Sequence, residues 1–215
     1  MRGSLLHILH QIRKRSAERL GEAQCLIHAL VAGRAADGQT GHTVFTAPCL
    51  NGLRELSRED QLRYEFSEES LTRALLQERL CAAIQFAIPG VPSIYYGDEQ
   101  GMCGVCDPFN RLPFKEGEQK LHDWYAHLAN MRSSADALST GHACFSAATG
   151  DVLLILRWIS DGRDAFGDAA ENGAYLAVIN RSMTEVRYRA DCSAAGCGIV
   201  EGTAEPVSAE IILIK

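Results

Sequence analysis

Gly90-Val91-Pro92-Ser93-Ile94-Tyr95-Tyr96-Gly97-Asp98-Glu99 is the stretch on which the fold turns. It predicts a short apolar strand, Val91 to Tyr96, breaking at Gly97 into a loop that carries two adjacent carboxylates. Upstream, Ser67 is placed to cap a helix, and Glu68 and Glu69 bring negative charge to its first turn. Leu71, Leu75, Leu76, Leu80 and Ile84 continue that helix at a spacing close to 3.6, up to a stop at Pro89-Gly90. A strand after such a helix, apolar on both faces, is expected to be parallel and covered on both sides.

Further upstream, helical periodicity runs over 5–15 and 17–30, and Thr43-Val44-Phe45-Thr46 favours a strand. Downstream, Leu121, Trp124, Tyr125, Leu128 and Met131 set a further helix at 119–131. The period then changes to two. Residues 151–159, 174–180, 185–190 and 209–214 are short, β-favouring and separated by Gly, Asp and Asn clusters, which predicts a small antiparallel sandwich. The boundary between the helical half, 1–135, and the β half, 136–215, falls after the helix of Trp124.

Composition narrows the function. The chain has 215 residues, 47% of them hydrophobic and 22% charged, and no apolar run of the roughly 20 residues that a membrane-spanning helix needs. The N-terminus lacks the apolar core and cleavage site of a signal peptide, so a cytoplasmic protein is expected. A net charge of -6 argues against nucleic acid, and Arg13-Lys14-Arg15 reads as a solvated helix face. The eight cysteines are irregularly spaced, which favours reduced thiols over a disulfide framework. Cys103 and Cys106 have the spacing of a zinc or redox pair but no second pair to complete a site, and His7 and His10 lack further ligands. No metal or cofactor is expected.

Gly90, Pro92, Gly97 and Glu99 fit G-x-P-x-x-x-x-G-x-E, and the stretch resembles the eighth barrel strand of glycoside hydrolase family 13, the α-amylase family, in its neopullulanase and cyclomaltodextrinase branch. Tyr175-Leu176-Ala177-Val178-Ile179-Asn180-Arg181-Ser182 looks like that family's apolar strand ending in I-N-x-S. The resemblance implies an α/β plus all-β architecture: the C-terminal portion of a (β/α)8 TIM barrel, about strands 7 and 8, followed by an antiparallel β-sandwich. It also implies α-glucan hydrolysis as the family chemistry, which needs two carboxyl groups flanking the scissile bond. By the resemblance those two acids belong to barrel strands four and five, upstream of Met1.

The family's S-H-D-T-P-R-x-L-T segment falls on Cys49-Leu50-Asn51-Gly52-Leu53-Arg54-Glu55-Leu56-Ser57. Leu50 and Asn51 stand where the sugar-binding His-Asp pair is found. Leucine makes no hydrogen bond to a hydroxyl, and asparagine lacks the charge that stabilises a developing oxocarbenium ion. Asp107-Pro108-Phe109-Asn110-Arg111-Leu112-Pro113-Phe114 is similar to the family's D-P-x-x-R-x-P loop, which makes Asp107 and Arg111 candidate glucan contacts, with a loop-stapling salt bridge as the alternative. The tryptophan common after that loop is replaced, with Lys115 in its region. Glu99 matches the motif's last glutamate, beside the active site but not catalytic; Asp98 and Glu99, adjacent on an extended segment, point to opposite sides. Tyr95 and Tyr96 read as barrel filling.

These readings give an expected function: the C-terminal fragment of an α-glucan-hydrolysing glycosidase without independent catalysis. The alternative is a non-catalytic maltodextrin-binding or partner-scaffolding module. The expected partners are an α-glucan or maltodextrin, and either a separately encoded N-terminal barrel portion or a second copy, since two barrel strands alone leave edges unpaired.

Overall fold

Ser67 does what its position predicts. Its hydroxyl accepts from the Ser70 amide at 3.2 Å and starts helix α2, Glu68–Ala87, after a short α1, Arg58–Leu62. The computed structural model describes residues 56–102, 104, 109 and 111–215. The helices and strand expected before residue 56, and the Cys103/Cys106 pair, lie outside the described residues. Helices α3, Gln119–Ser133, and α4, Asp136–Ser139, come next, and then six strands: β1 His142–Thr149, β2 Val152–Ile159, β3 Gly173–Asn180, β4 Val186–Asp191, β5 Ile199–Ala204 and β6 Ser208–Leu213. All described pairings are antiparallel, with a four-stranded sheet in the order β1-β2-β3-β6 and a separate β4-β5 pair.

Alternation along β2 builds the two faces of the sheet. Leu153 and Ile155, with Phe145, Ala177 and Ile179, pack against Leu80, Ile84, Ala87 and Ile88 at the end of α2. Val152, Leu154 and Leu156, with Leu176 and Val178, pack against Tyr188, Ala190, Cys192 and Ala204 of the β4-β5 layer. Strand β2 is therefore covered on both sides, which explains its nearly unbroken apolar sequence. A third cluster joins Ala74, Ala82 and Phe86 of α2 to Leu121, Tyr125 and Leu128 of α3. Within it the Tyr125 hydroxyl donates to the buried carboxylate of Glu78.

The order of described elements is helices and then antiparallel strands, and the four predicted strands are present. Strands β1 and β5 are additions that the sequence pattern does not foresee. The predicted strand at Val91–Tyr96 is corrected: this segment is irregular, and Val91 is 93% exposed. A parallel strand buried on both faces needs paired neighbours, and among the described residues none pairs with 91–96, while Pro92 supplies no amide to a ladder. Leu76, placed on the buried face of α2 by its spacing, is exposed; Ala74 and Glu78 take that side.

The end of α2 is held by two buried arginines. Ile88 donates its amide to Ile84 at 3.0 Å, Pro89 prevents a further turn, and the carbonyls left over face inward. Arg132 of α3 donates to the carbonyls of Phe86, Ile88 and Gly90. Arg157 of β2, with no exposed surface, donates to Ala87 at 2.8 Å, Gly141 at 3.1 Å and His142 at 3.2 Å. Burial pushes Arg157 down to about 9, with Arg132 acting in the same direction, so it is cationic at neutral pH and complements the negative end of the helix.

At the end of β3, Asn180 is equally buried. Its amide donates to the Thr184, Ala204 and Glu205 carbonyls, and its Oδ1 accepts from the Ser182 amide at 2.9 Å and hydroxyl at 2.8 Å. This is the physical content of the I-N-x-S pattern: one amide ties β3 to the start and finish of the β4-β5 layer.

Both buried and loop contacts can be tested. Arg157→Met keeps the volume but leaves three inward carbonyls without a donor, and is expected to lower the unfolding free energy in urea by about 3 kcal/mol or more at 1–3 kcal/mol per buried group. Arg157→Lys recovers little of this, since one ammonium does not reproduce the fork. In the loop after β2, partial burial works to raise the Asp164 carboxyl, but hydrogen bonds from the Phe166 and Asp168 amides and the Thr140 hydroxyl outweigh it and hold the group below its ordinary range. A depressed folded-state value contributes stability that is present above the unfolded value of about 3.9 and lost as pH falls through the folded one. Amide exchange over 161–170 is therefore expected to accelerate on acidification below about pH 4, an acceleration absent in Asp164→Asn.

Candidate functional site

The carboxylates of the Gly90–Glu99 motif sit in a turn built by its glycines. Gly97 at φ 87° and Gly101 at φ 66° bracket a single 3-10 turn, Asp98–Gln100, and both conformations are disfavoured for residues with a Cβ. The Gly97 carbonyl accepts from Gln100 and Met102, and the amide of Asp98 donates to Tyr95. Asp98, fully buried, accepts from the Tyr95 amide at 3.3 Å through Oδ2, and Glu99 accepts from the Gly97 amide at 3.0 Å through Oε2. The two acids bond to the backbone of their own turn rather than facing each other across a cleft. They lie in a turn and not on the extended segment expected from the sequence.

The same turn anchors the approach to α3. Gln100 receives the Gly117 amide at 3.0 Å on its side chain and the Glu118 amide at 3.0 Å on its carbonyl, fixing the entry into that helix. Tyr96 is 39% exposed, so it is not interior filling among the described residues. Its hydroxyl donates to the Leu112 carbonyl at 3.0 Å, and its ring meets that of Tyr95 at 4.6 Å. Burial and Tyr95 push the Tyr96 phenol up, while Arg111 pulls it back. Arg111 and Tyr96 are both exposed, as are Ile94, Leu112 and Phe114. Asp107, Leu50 and Asn51 lie outside the described residues.

Beyond these residues, a shallow pocket of about 280 Å³ is lined by Pro89, His142, Arg157, Trp158 and Phe166 among others, with the His142 and Trp158 rings 5.5 Å apart. Sequence reasoning misses it because His142 belongs to the unforeseen β1 and meets Trp158 only through the β1-β2 register.

The 36% identity of this chain to an amylopullulanase of Thermoanaerobacter thermohydrosulfuricus extends over 117 residues, 54% of this chain and 8% of that protein. Neopullulanase 2 of Thermoactinomyces vulgaris is 38% identical over 68 residues, 30% of this chain and 12% of that protein. These likenesses support a resemblance to the C-terminal region of glycoside hydrolase family 13, the α-amylase family. The chain spans less than a tenth of the amylopullulanase. No protein-family model matches the chain. Among solved structures, the ligand-free cyclic α-maltosyl-(1→6)-maltose hydrolase of Arthrobacter globiformis has a TM-score of 0.57 at 19% identity, covering 88% of this chain and 44% of that one. At that identity the likeness is one of fold: a mostly antiparallel sheet domain with few helices, as in α-amylase family structures.

The geometry separates the two acids. Asp98→Ala removes a fully buried acceptor and is expected to lower stability by about 1–3 kcal/mol. Glu99→Gln retains an acceptor oxygen for the Gly97 amide and is expected to stay within about 0.5 kcal/mol. Urea unfolding of both variants checks this, and equal losses would mean that Glu99 is engaged more deeply than its bond to Gly97.

Proposed function

We propose that this chain is the C-terminal part of an α-glucan-hydrolysing glycosidase of the amylopullulanase and neopullulanase type, without catalysis of its own. In this reading residues 1–135 contribute the last portion of a (β/α)8 barrel and 136–215 a β-sandwich domain that closes it. The observation that carries the reading is the turn at 95–101: its carboxylates are turned onto its own backbone and its Tyr96 is exposed, in a chain whose named relatives act on α-glucans, with Arg111 exposed further along. Leu50 and Asn51, in place of the family's His-Asp pair, support the loss of catalysis. The exposed apolar groups Val91, Ile94, Leu112 and Phe114 support a missing cover, which in this reading is the rest of a barrel. Arg111 and Asp107 contact glucose units, while Glu99 holds the turn that positions them.

A second reading, a non-catalytic maltodextrin-binding or partner-scaffolding module, is favoured by the same exposed Tyr96 and Arg111. The purified chain is expected to release no reducing sugar from maltodextrin or cyclomaltodextrin. Calorimetric titration with maltoheptaose is expected to show weak binding that Arg111→Ala reduces at least tenfold, an expectation shared by both readings. Sugar release would overturn the loss of catalysis. Undetectable binding would remove the module reading and the glucan role of Arg111.

A further inference from the structure

The β4-β5 ladder continues past Asp191 with Ile199 by one more step in the same register, Cys192 with Gly198. The Cys192 amide donates to the Gly198 carbonyl at 2.7 Å, and the Cys197 amide donates to the Cys192 carbonyl at 3.2 Å. With the Gly196 amide on the Ser193 carbonyl at 2.9 Å, that last bond closes the turn as a Schellman motif, in which Cys192 and Cys197 hold the two positions whose side chains commonly meet. Gly196 at φ 72° supplies the left-handed position that closes the turn Ser193–Ala195, and Gly198 at φ 67° a second one where β5 is about to begin. The 3.2 Å bond from the Cys197 amide to the Cys192 carbonyl holds the two residues side by side, as a disulfide with its Cα atoms roughly 4.4–6.8 Å apart requires.

The side chains share a destination as well. Cys192 follows Tyr188 and Ala190 in the inward alternation of β4 and is fully buried; Cys197 packs against the same cluster from a half-buried position. Both thiols are free, and the Cys197 thiol points its hydrogen at the Ala195 carbonyl at 3.6 Å. Burial first, and then the neighbouring Cys197, push the Cys192 thiol up, so Cys192 is the slower nucleophile and Cys197 the accessible one.

We propose that Cys192 and Cys197 form a peroxide-responsive pair that closes to an intramolecular disulfide across this turn. The Cys197 thiolate attacks one oxygen of hydrogen peroxide, the O–O bond breaks, and the released hydroxide takes the thiol proton as water. The resulting sulfenic acid is attacked at sulfur by the Cys192 thiolate; the S–S bond forms, the S–O bond breaks, and a second water leaves with the Cys192 proton. Two thiols are oxidised and one peroxide is reduced to two waters. The closed bond locks the end of the β4-β5 layer to itself, on the side of the sheet opposite α2.

Trypsin gives a direct readout, because cleavage after Arg189 leaves Ala190–Lys215 as one peptide whose cysteines are Cys192 and Cys197. The folded chain is treated with hydrogen peroxide, quenched, unfolded, alkylated with iodoacetamide without reductant, and digested. The expected peptide has lost two hydrogens and carries no alkyl group, and prior reduction restores two alkylation sites. Cys197→Ser is expected to leave Cys192 alkylatable after the same treatment. Gly198→Val, which strains the left-handed exit of the turn without touching either thiol, is expected to slow closure several-fold. Two alkyl groups after peroxide, a sulfinic acid at Cys197, a bond from Cys192 to Cys144, or closure at an unchanged rate in Gly198→Val would each overturn the proposal.

Discussion

The carbonyls at the C-terminal end of α2 are the constraint around which the rest is arranged. A helix that stops at a proline inside the protein leaves peptide oxygens that water does not reach, and a buried carbonyl without a donor costs about 1–3 kcal/mol. Here those oxygens are met by guanidiniums from two different elements, Arg132 on α3 and Arg157 on β2. Each arginine also carries a positive charge to the negative end of the helix dipole. The helix end is thus fixed relative to a second helix and a sheet at once, and the apolar cluster of Ile84, Ile88, Leu153 and Ile155 forms around that junction.

The turn after α2 depends on the same junction, since Gly90 contributes a carbonyl to Arg132 seven residues before Gly97 begins the turn. From there the chain is governed by short-range bonds: carboxylates to amides within 95–101, Gln100 to the start of α3, Tyr96 to Leu112. The outcome is a turn whose carboxylates bond to its own backbone and whose Tyr96 ring is partly exposed. Proton transfer to a glycosidic bond asks for an acid and a base held apart across a substrate, and these two carboxylates, tied to one backbone turn, are not placed that way.

Local signals are legible where the physics is local. The Ser67 cap, the Pro89 stop, the helix of Trp124 and the apolar strands β2 and β3 are all readable because propensity, capping and burial pattern agree there. Strand β1 is not, since His142-Ala143-Cys144-Phe145-Ser146 is small and polar and owes its extended form to pairing with β2; β5, with Gly202 in its middle, owes its own to β4. Val91–Tyr96 fails in the opposite direction: its side chains favour a strand, but a strand also needs edges to pair with. The inward role of Arg157 has one visible sign, a lone charge in Leu153-Leu154-Ile155-Leu156-Arg157-Trp158-Ile159. Nothing in the spacing tells that its partners are carbonyls of a helix.

The distance along the chain between α2 and its second cap has a consequence for how the molecule assembles. Arg157 comes 70 residues after the Ala87 carbonyl that it serves. During synthesis the helix emerges well before the strand that completes it, and its end stays hydrated until β1 and β2 have paired. Helix docking and sheet formation are therefore coupled through contacts of long sequence separation.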